Sequence, residues 1–246
     1  MKKENKGAVK FFAMMFLSAC VGGVFGFLSS MYNQSLSQLA TRAIDSLAYV
    51  GMAGVYLMYI PFVMSIVLYN RAKKAAPAAG EDELEDVENM LEKALVYSSY
   101  FSIGEMISFG MMCCRMLDIV ESGYFVPFGG AVVLFTVGLI TTVLLQNSII
   151  KLTKQINPEK KGSVFEKNFQ KDWYDSCDER ERAAIGYAAY KSYMATTKAF
   201  TWVFLALVVL SLVYPIGPAP MLLVGVIWLV QSVTYTKYCN EKKSKN

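Results

Sequence analysis

Long apolar runs separated by lysine-bearing polar segments restrict this chain more than any single motif. A helix needs about 20 mostly apolar residues to cross the hydrocarbon core of a bilayer. Six stretches approach that length: residues 9–31, 47–69, 94–117, 125–147, 193–214 and 219–238. The expected fold is therefore all-α. It is a single polytopic membrane domain of six transmembrane helices arranged as three hairpins, with amphipathic helices in two cytoplasmic inserts, residues 70–93 and 148–192. Composition agrees, since 54% of the 246 residues are hydrophobic and only 18% are charged, with a mean hydropathy of +0.35. The six-residue linker Pro215-Ile-Gly-Pro-Ala-Pro220 forbids a continuous helix, because each proline lacks a backbone donor; it predicts a tight hairpin between the last two spans.

The basic residues give the orientation, because cytoplasmic loops carry the excess of Lys and Arg. On this threading 22 of the 24 Lys and Arg fall on one side, leaving only Arg42 and Arg115 on the other. Both termini are expected in the cytoplasm of a cell-membrane protein. Basic residues spread between apolar runs do not form the single patch that nucleic acid requires, so no nucleic-acid partner is expected. The chain has no histidine, which removes the commonest general base and metal ligand. Five cysteines without repeated spacing form neither a disulfide framework nor a zinc site. No phosphate-cradling or dinucleotide-binding glycine motif is present. The reading is non-enzymatic, with no cofactor and no metal.

Within the first run, Leu17-Ser-Ala-Cys20 has the look of a lipoprotein processing site. Val21-Gly-Gly-Val-Phe-Gly-Phe-Leu28 continues it as apolar sequence, and the favoured reading is an uncleaved membrane helix. Ser18, Gly22, Gly26 and Ser30 recur every four residues and set small side chains on one face. That lets another helix approach closely, either within the chain or in a homodimer.

The first insert becomes strongly acidic, with Glu81, Asp82, Glu83, Glu85, Asp86, Glu88 and Glu92 in twelve residues. Leu84, Val87, Leu91 and Leu95 follow helical spacing, which predicts an amphipathic helix running on into the third span. Its acids read as a solvated face; the sharper alternative is an ionic clamp on Lys151–Lys171. The third span holds Glu105 near its middle, a costly place for an ionisable group. The options are a structural hydrogen bond to Thr136, Thr141, Thr142 or a serine, or an ion or substrate path.

The second insert is the one polar stretch with the residue variety of a specific surface. It breaks at Asn157-Pro158 and again at Lys161-Gly162-Ser163. Ser176 with Glu179 has capping-box spacing and predicts a helix from Cys177. Tyr193 and Trp202 fit an interfacial aromatic anchor. Phe165, Phe169, Trp173 and Tyr174 are large apolar groups in charged surroundings, either a small satellite core or a partner-docking surface.

Asn157-Pro-Glu-Lys-Lys-Gly-Ser-Val164, Phe169, Trp173, Ser176-Cys-Asp-Glu179 and the aromatic helix that follows resemble the bacterial membrane proteins grouped as domain of unknown function 3169. The resemblance covers the whole chain in layout and residues 157–193 in specific detail. Those proteins come mainly from Gram-positive bacteria and have no established activity, so the resemblance implies location and topology and carries over no site residue.

The function expected from the sequence is that of a non-catalytic accessory or sensory membrane protein. It would dock a protein partner, an ATPase or a regulator, at the cytoplasmic face through residues 157–193. The alternative is the membrane subunit of a transporter or ATPase-driven exporter.

Overall fold

The structure, a computed structural model, describes residues 33–243 together with Ala13, Phe16, Leu17, Cys20, Gly23, Val24 and Phe27. The helix-packing face proposed at Ser18, Gly22, Gly26 and Ser30 lies outside the described residues. Among those described, secondary structure is entirely helical. Ser37–Ala75, Phe125–Ile156, Glu179–Val213 and Ala219–Asn240 are long and apolar enough to cross a membrane. The chain divides into two compact units, Ile44–Gly186 and Met1–Ala43 with Tyr187–Asn246.

The first helices are α1 (Asn33–Leu57) and α2 (Tyr59–Ala75), separated only by Met58. Pro61 is the cause: it has no N–H to reach the Leu57 carbonyl, and its ring crowds that oxygen. Met58 keeps helical dihedrals and still donates to the Gly54 carbonyl (2.9 Å), so the interruption is one residue wide. After a short turn, α3 (Glu81–Cys113) opens where the Gly80 N–H donates to the Glu83 carboxylate (3.4 Å). It carries the acidic run into the third apolar stretch without a break, as the spacing predicts. It stops at Cys113, and Arg115 leaves helical geometry (φ −130°, ψ 37°) before the short α4 (Met116–Glu121). The last residues of stretch 94–117 therefore belong to a turn and a separate helix. Gly123 turns the chain with φ +86° into α5 (Phe125–Ile156).

In the Ile44–Gly186 unit, α2 packs along α3 and α3 along α5. In a bilayer this packing relies on close van der Waals fit, because lipid is as apolar as the side chains. Glycines provide the fit. A Cβ on Gly51 would come within 2.6 Å of the Ser108 carbonyl oxygen, and one on Gly138 within 2.7 Å of the Phe101 ring. One apolar layer holds Val55, Met112, Ile119 and Ala131; a second holds Ala72, Val87, Leu91, Ala94 and Ile149. Between them Tyr59, Phe62 and Phe101 meet ring to ring. The Tyr56 and Tyr59 hydroxyls donate to the Pro127 and Leu134 carbonyls, both at 2.7 Å, and fasten the first helices to α5. At the end away from the lysines, Arg115 is paired with Asp45 and with Asp118 (3.0 Å).

The other unit contains most of α7 (Glu179–Val213) and α8 (Ala219–Lys243). The proline linker forms the expected hairpin, with Gly217 at φ +69° and the Ile216 N–H bonded to the Tyr214 carbonyl (2.8 Å). Tyr193 stacks on Tyr235 (4.2 Å) and Phe200 on Trp228 (6.3 Å), pairing the two helices. No residue of α7 is buried, and Trp202 is 72% exposed.

Candidate functional site

The second insert is folded rather than slack, and its frame can be followed residue by residue. α5 ends at Ile156, where Asn157 leaves helical geometry and its side-chain amide donates to Glu88 of α3 (2.7 Å). Gly162 adopts φ +99°, which an L side chain rarely tolerates, and a Cβ there would come within 3.0 Å of the Phe169 ring and 3.5 Å of Asp172. Lys154 donates to the Gly162 carbonyl (3.1 Å), holding the turn onto α5. α6 (Phe169–Asp175) follows, and the chain then enters α7.

The helix entry corrects one expectation. The capping box is Asp178 with Glu181: Glu181 N–H donates to Asp178 Oδ1 (2.7 Å), and Asp178 N–H donates to Glu181 Oε2 (3.0 Å). Ser176 is drawn elsewhere. Its hydroxyl donates to the Trp173 carbonyl (2.7 Å) and accepts from Lys161 N–H (3.2 Å), so α7 starts at Glu179.

Lys160 is the centre of this frame. It is only 5% exposed, forms an ion pair with Glu181, and lies 3.8 Å from the Cys177 sulfur and 6.0 Å from the centre of the Trp173 ring. Burial pulls its pKa down, but the Glu181 hydrogen bond and charge outweigh that, and the net shift is upward. The hydrogen bond from Lys160 holds the Glu181 carboxyl below its usual range. Burial pushes the Cys177 thiol up. A lysine held charged and a thiol held protonated are both poor nucleophiles, and the ion pair ties the turn at Lys160 to the first turn of α7. Sequence reasoning missed it, since a lysine in a charged loop reads as solvated and its partner lies 21 residues away.

The four aromatic candidates divide into two pairs. Phe169 and Trp173 are half-buried, with rings 5.8 Å apart, Phe169 covering Gly162 and Trp173 facing Lys160. Phe165 is 64% and Tyr174 42% exposed. The insert thus contains a small satellite core, an exposed Phe165, and an exposed Tyr174 whose ring carries the Arg182 guanidinium at 5.9 Å.

Glu105 is fully buried in α3, and neither carboxyl oxygen has a hydrogen-bond partner among the described residues. The threonines considered as partners look elsewhere: Thr136 donates to Val132 (2.9 Å) and Thr141 to Val137 (2.8 Å), while the buried Thr142 hydroxyl itself has no partner among the described residues. Cys20 is exposed and in no disulfide among the described residues. No group of three or more His, Cys, Asp or Glu among the described residues could hold a metal ion.

The acidic face of α3 is solvated rather than clamped. Glu83, Glu85 and Asp86 are exposed, no ion pair joins these acids to the insert lysines among the described residues, and Val87 and Leu91 face the core. Two cavities flank this region. One of about 310 Å³ is lined by Glu88, Glu92, Trp173 and Glu181 around Lys160. The other, of about 620 Å³, lies between α2, the start of α3 and α5, with Lys73 and Lys151 in its wall.

No curated protein matches the chain, and no solved structure does. A family model described as a protein of unknown function, DUF3169, matches residues 6–239. With nearly its whole length inside that match, and the 157–193 insert folded as its own frame, the chain belongs to the DUF3169 family.

Proposed function

We propose that this chain is a six-span cell-membrane protein built as three hairpins. Both termini and both polar inserts lie in the cytoplasm, and the protein acts as a non-catalytic accessory component that docks a cytosolic protein through residues 157–193. The observation that carries the reading is the division of the aromatic residues. Phe169 and Trp173 are committed to the insert's own packing, whereas Phe165 and Tyr174 point outward from a frame fastened at Glu88, Gly162 and Glu181. Large aromatics held on a stiff frame lose little freedom on binding, which is how interface anchors act. Lys161, Lys167 and Lys171, all exposed, flank Phe165 in the chain. The partner surface that fits is an apolar pocket with an acidic rim, on a cytosolic ATPase or a regulator.

Photocrosslinking in native membranes tests this. A photoreactive residue in place of Phe165 is expected to yield one discrete protein adduct, and the same residue in place of Leu205 only lipid adducts. Absence of any protein adduct at 165 would remove the docking reading.

Glu105 favours a second reading, the membrane subunit of a transporter. A fully buried carboxyl in α3, without a partner among the described residues, is the kind of group that binds a transported ion. On that reading Glu105→Gln abolishes solute flux in proteoliposomes; retained flux would leave Glu105 with a packing role.

A further inference from the structure

The larger cavity has a location, a charge and a floor that together select a ligand. It is about 620 Å³ and is walled by Tyr69 and Lys73 of α2, Leu84 of α3, and Ser148, Lys151 and Leu152 of α5. Its depth follows from the sequence. The apolar runs 47–69 and 125–147 end at Tyr69 and Asn147, so Lys73, Ser148 and Lys151 stand within about one turn beyond the apolar limit. In a bilayer that is the level of the phosphate headgroups.

Among the described residues the charge is unpaired. Neither Lys73 nor Lys151 belongs to an ion pair among the described residues, and the nearby acids Glu83 and Glu85 do not line the cavity. The hydroxyls of Tyr69 and Ser148 add neutral donors beside the two ammonium groups. Leu84 and Leu152 supply an apolar wall, and Leu152 packs on the layer around Leu91 and Ile149. An anion with an apolar body satisfies every part of this lining, while a free inorganic anion would leave the leucines against water. The smaller cavity makes the contrast: Glu88, Glu92 and Glu181 outnumber Lys160 there, and it would repel the same ligand.

We propose that this cavity binds the headgroup of an anionic phospholipid, with its phosphate between Lys73 and Lys151 and its glycerol end against Leu84 and Leu152. Basic pockets between transmembrane helices are established homes for such headgroups. A lysine near the surface contributes about fivefold to binding, the equivalent of ~1 kcal/mol, so removing both lowers affinity by about 25- to 30-fold.

The test uses the full chain in nanodiscs of phosphatidylcholine with or without phosphatidylglycerol, with retained lipid counted by native mass spectrometry. Wild type is expected to keep phosphatidylglycerol. Lys73→Gln/Lys151→Gln is expected to lose it by the factor above while keeping its helical circular dichroism, and Lys73→Arg/Lys151→Arg to retain it. Lys74→Gln/Lys93→Gln removes the same charge outside the cavity and is expected to behave as wild type. Three results would overturn the assignment: equal retention of phosphatidylcholine, equal loss in the Lys74/Lys93 control, or displacement by millimolar inorganic phosphate. The last would make the site a reader of free phosphate instead of lipid. Should the Gln pair fail to fold, the Arg pair and the phosphate competition decide the matter by themselves.

Discussion

The bundle of α2, α3 and α5 and the hairpin of α7 and α8 use similar apolar sequence for different ends. In the bundle, Phe101, Met112 and Ile149 are fully enclosed by protein; in the hairpin no residue of α7 is, and Leu205, Leu222 and Leu229 face outward. Several glycines mark the difference too, although Gly110 and Gly129 of the bundle have open space around them. Gly51, Gly54, Gly104 and Gly138 each sit where a Cβ would collide with a neighbour, whereas Gly225 of α8 has open space around it. Hydropathy therefore reports depth in the membrane, and the placement of small residues reports which helices are packed on each other. In lipid, where apolar burial no longer drives association, that second signal is the one with energetic content.

Substitutions can break this contrast. Gly51→Ala puts a methyl group against backbone and is expected to cost about 2–3 kcal/mol, despite the better helix propensity of alanine. Gly225→Ala is expected to be neutral or to gain up to about 1 kcal/mol. Denaturation of the two variants side by side in detergent measures the difference, and equal effects would mean that the bundle is not close-packed.

The ion pair of Lys160 with Glu181 comes next in size. Lys160→Ala leaves Glu181, which is partly exposed and can turn to water, so the expected loss is about 1–2 kcal/mol, between surface and buried pairs. It should be local. Trypsin is expected to cut at Lys161 and Lys167 faster in the variant, with the bundle's unfolding midpoint unchanged. The pH dependence has a definite sign. Glu181 is lowered, so its contribution is present above the ordinary carboxylate range near ~4.3 and fades as the pH falls through its folded value. Lys160 is raised, so its contribution holds below ~10.4 and fades as the pH rises through its folded value. Protection of the insert should thus be flat between about pH 5 and pH 10 and decline on either side.

Glu105→Met removes a buried carboxyl that has no partner among the described residues and replaces it with an apolar chain of similar volume. The bundle is expected to gain about 1 kcal/mol, read as a higher midpoint in detergent. A loss would show that Glu105 makes a stabilising contact once a ligand or water is present. Smallest is Leu205→Ala on the hairpin, expected within about 0.5 kcal/mol because no protein cavity is left behind.

Much of the helical plan was legible in the sequence. The 3–4 spacing of Leu84, Val87, Leu91 and Leu95 predicted the unbroken entry of α3, and the prolines after Tyr214 predicted the hairpin. What was not legible depended on competition between equal local signals. Ser176/Glu179 and Asp178/Glu181 have the same spacing, and only the pull of the Trp173 carbonyl and Lys161 N–H on Ser176 selects the second. The glycine seam was missed for a related reason: Gly51 and Gly54 are three apart, and their partner Ser108 lies on another helix. Within the site, the aromatic cluster could be seen but its division could not, because the inward turn of Trp173 depends on a lysine whose burial has no local signature.

The docking proposal stands on the side of the membrane that the insert occupies, and a single cysteine in place of Phe165, in a chain lacking its five native cysteines, reads that side. A membrane-impermeant maleimide should leave it unlabelled in intact cells and label it fully once the cells are opened. Labelling in intact cells would put the insert outside and contradict the proposal.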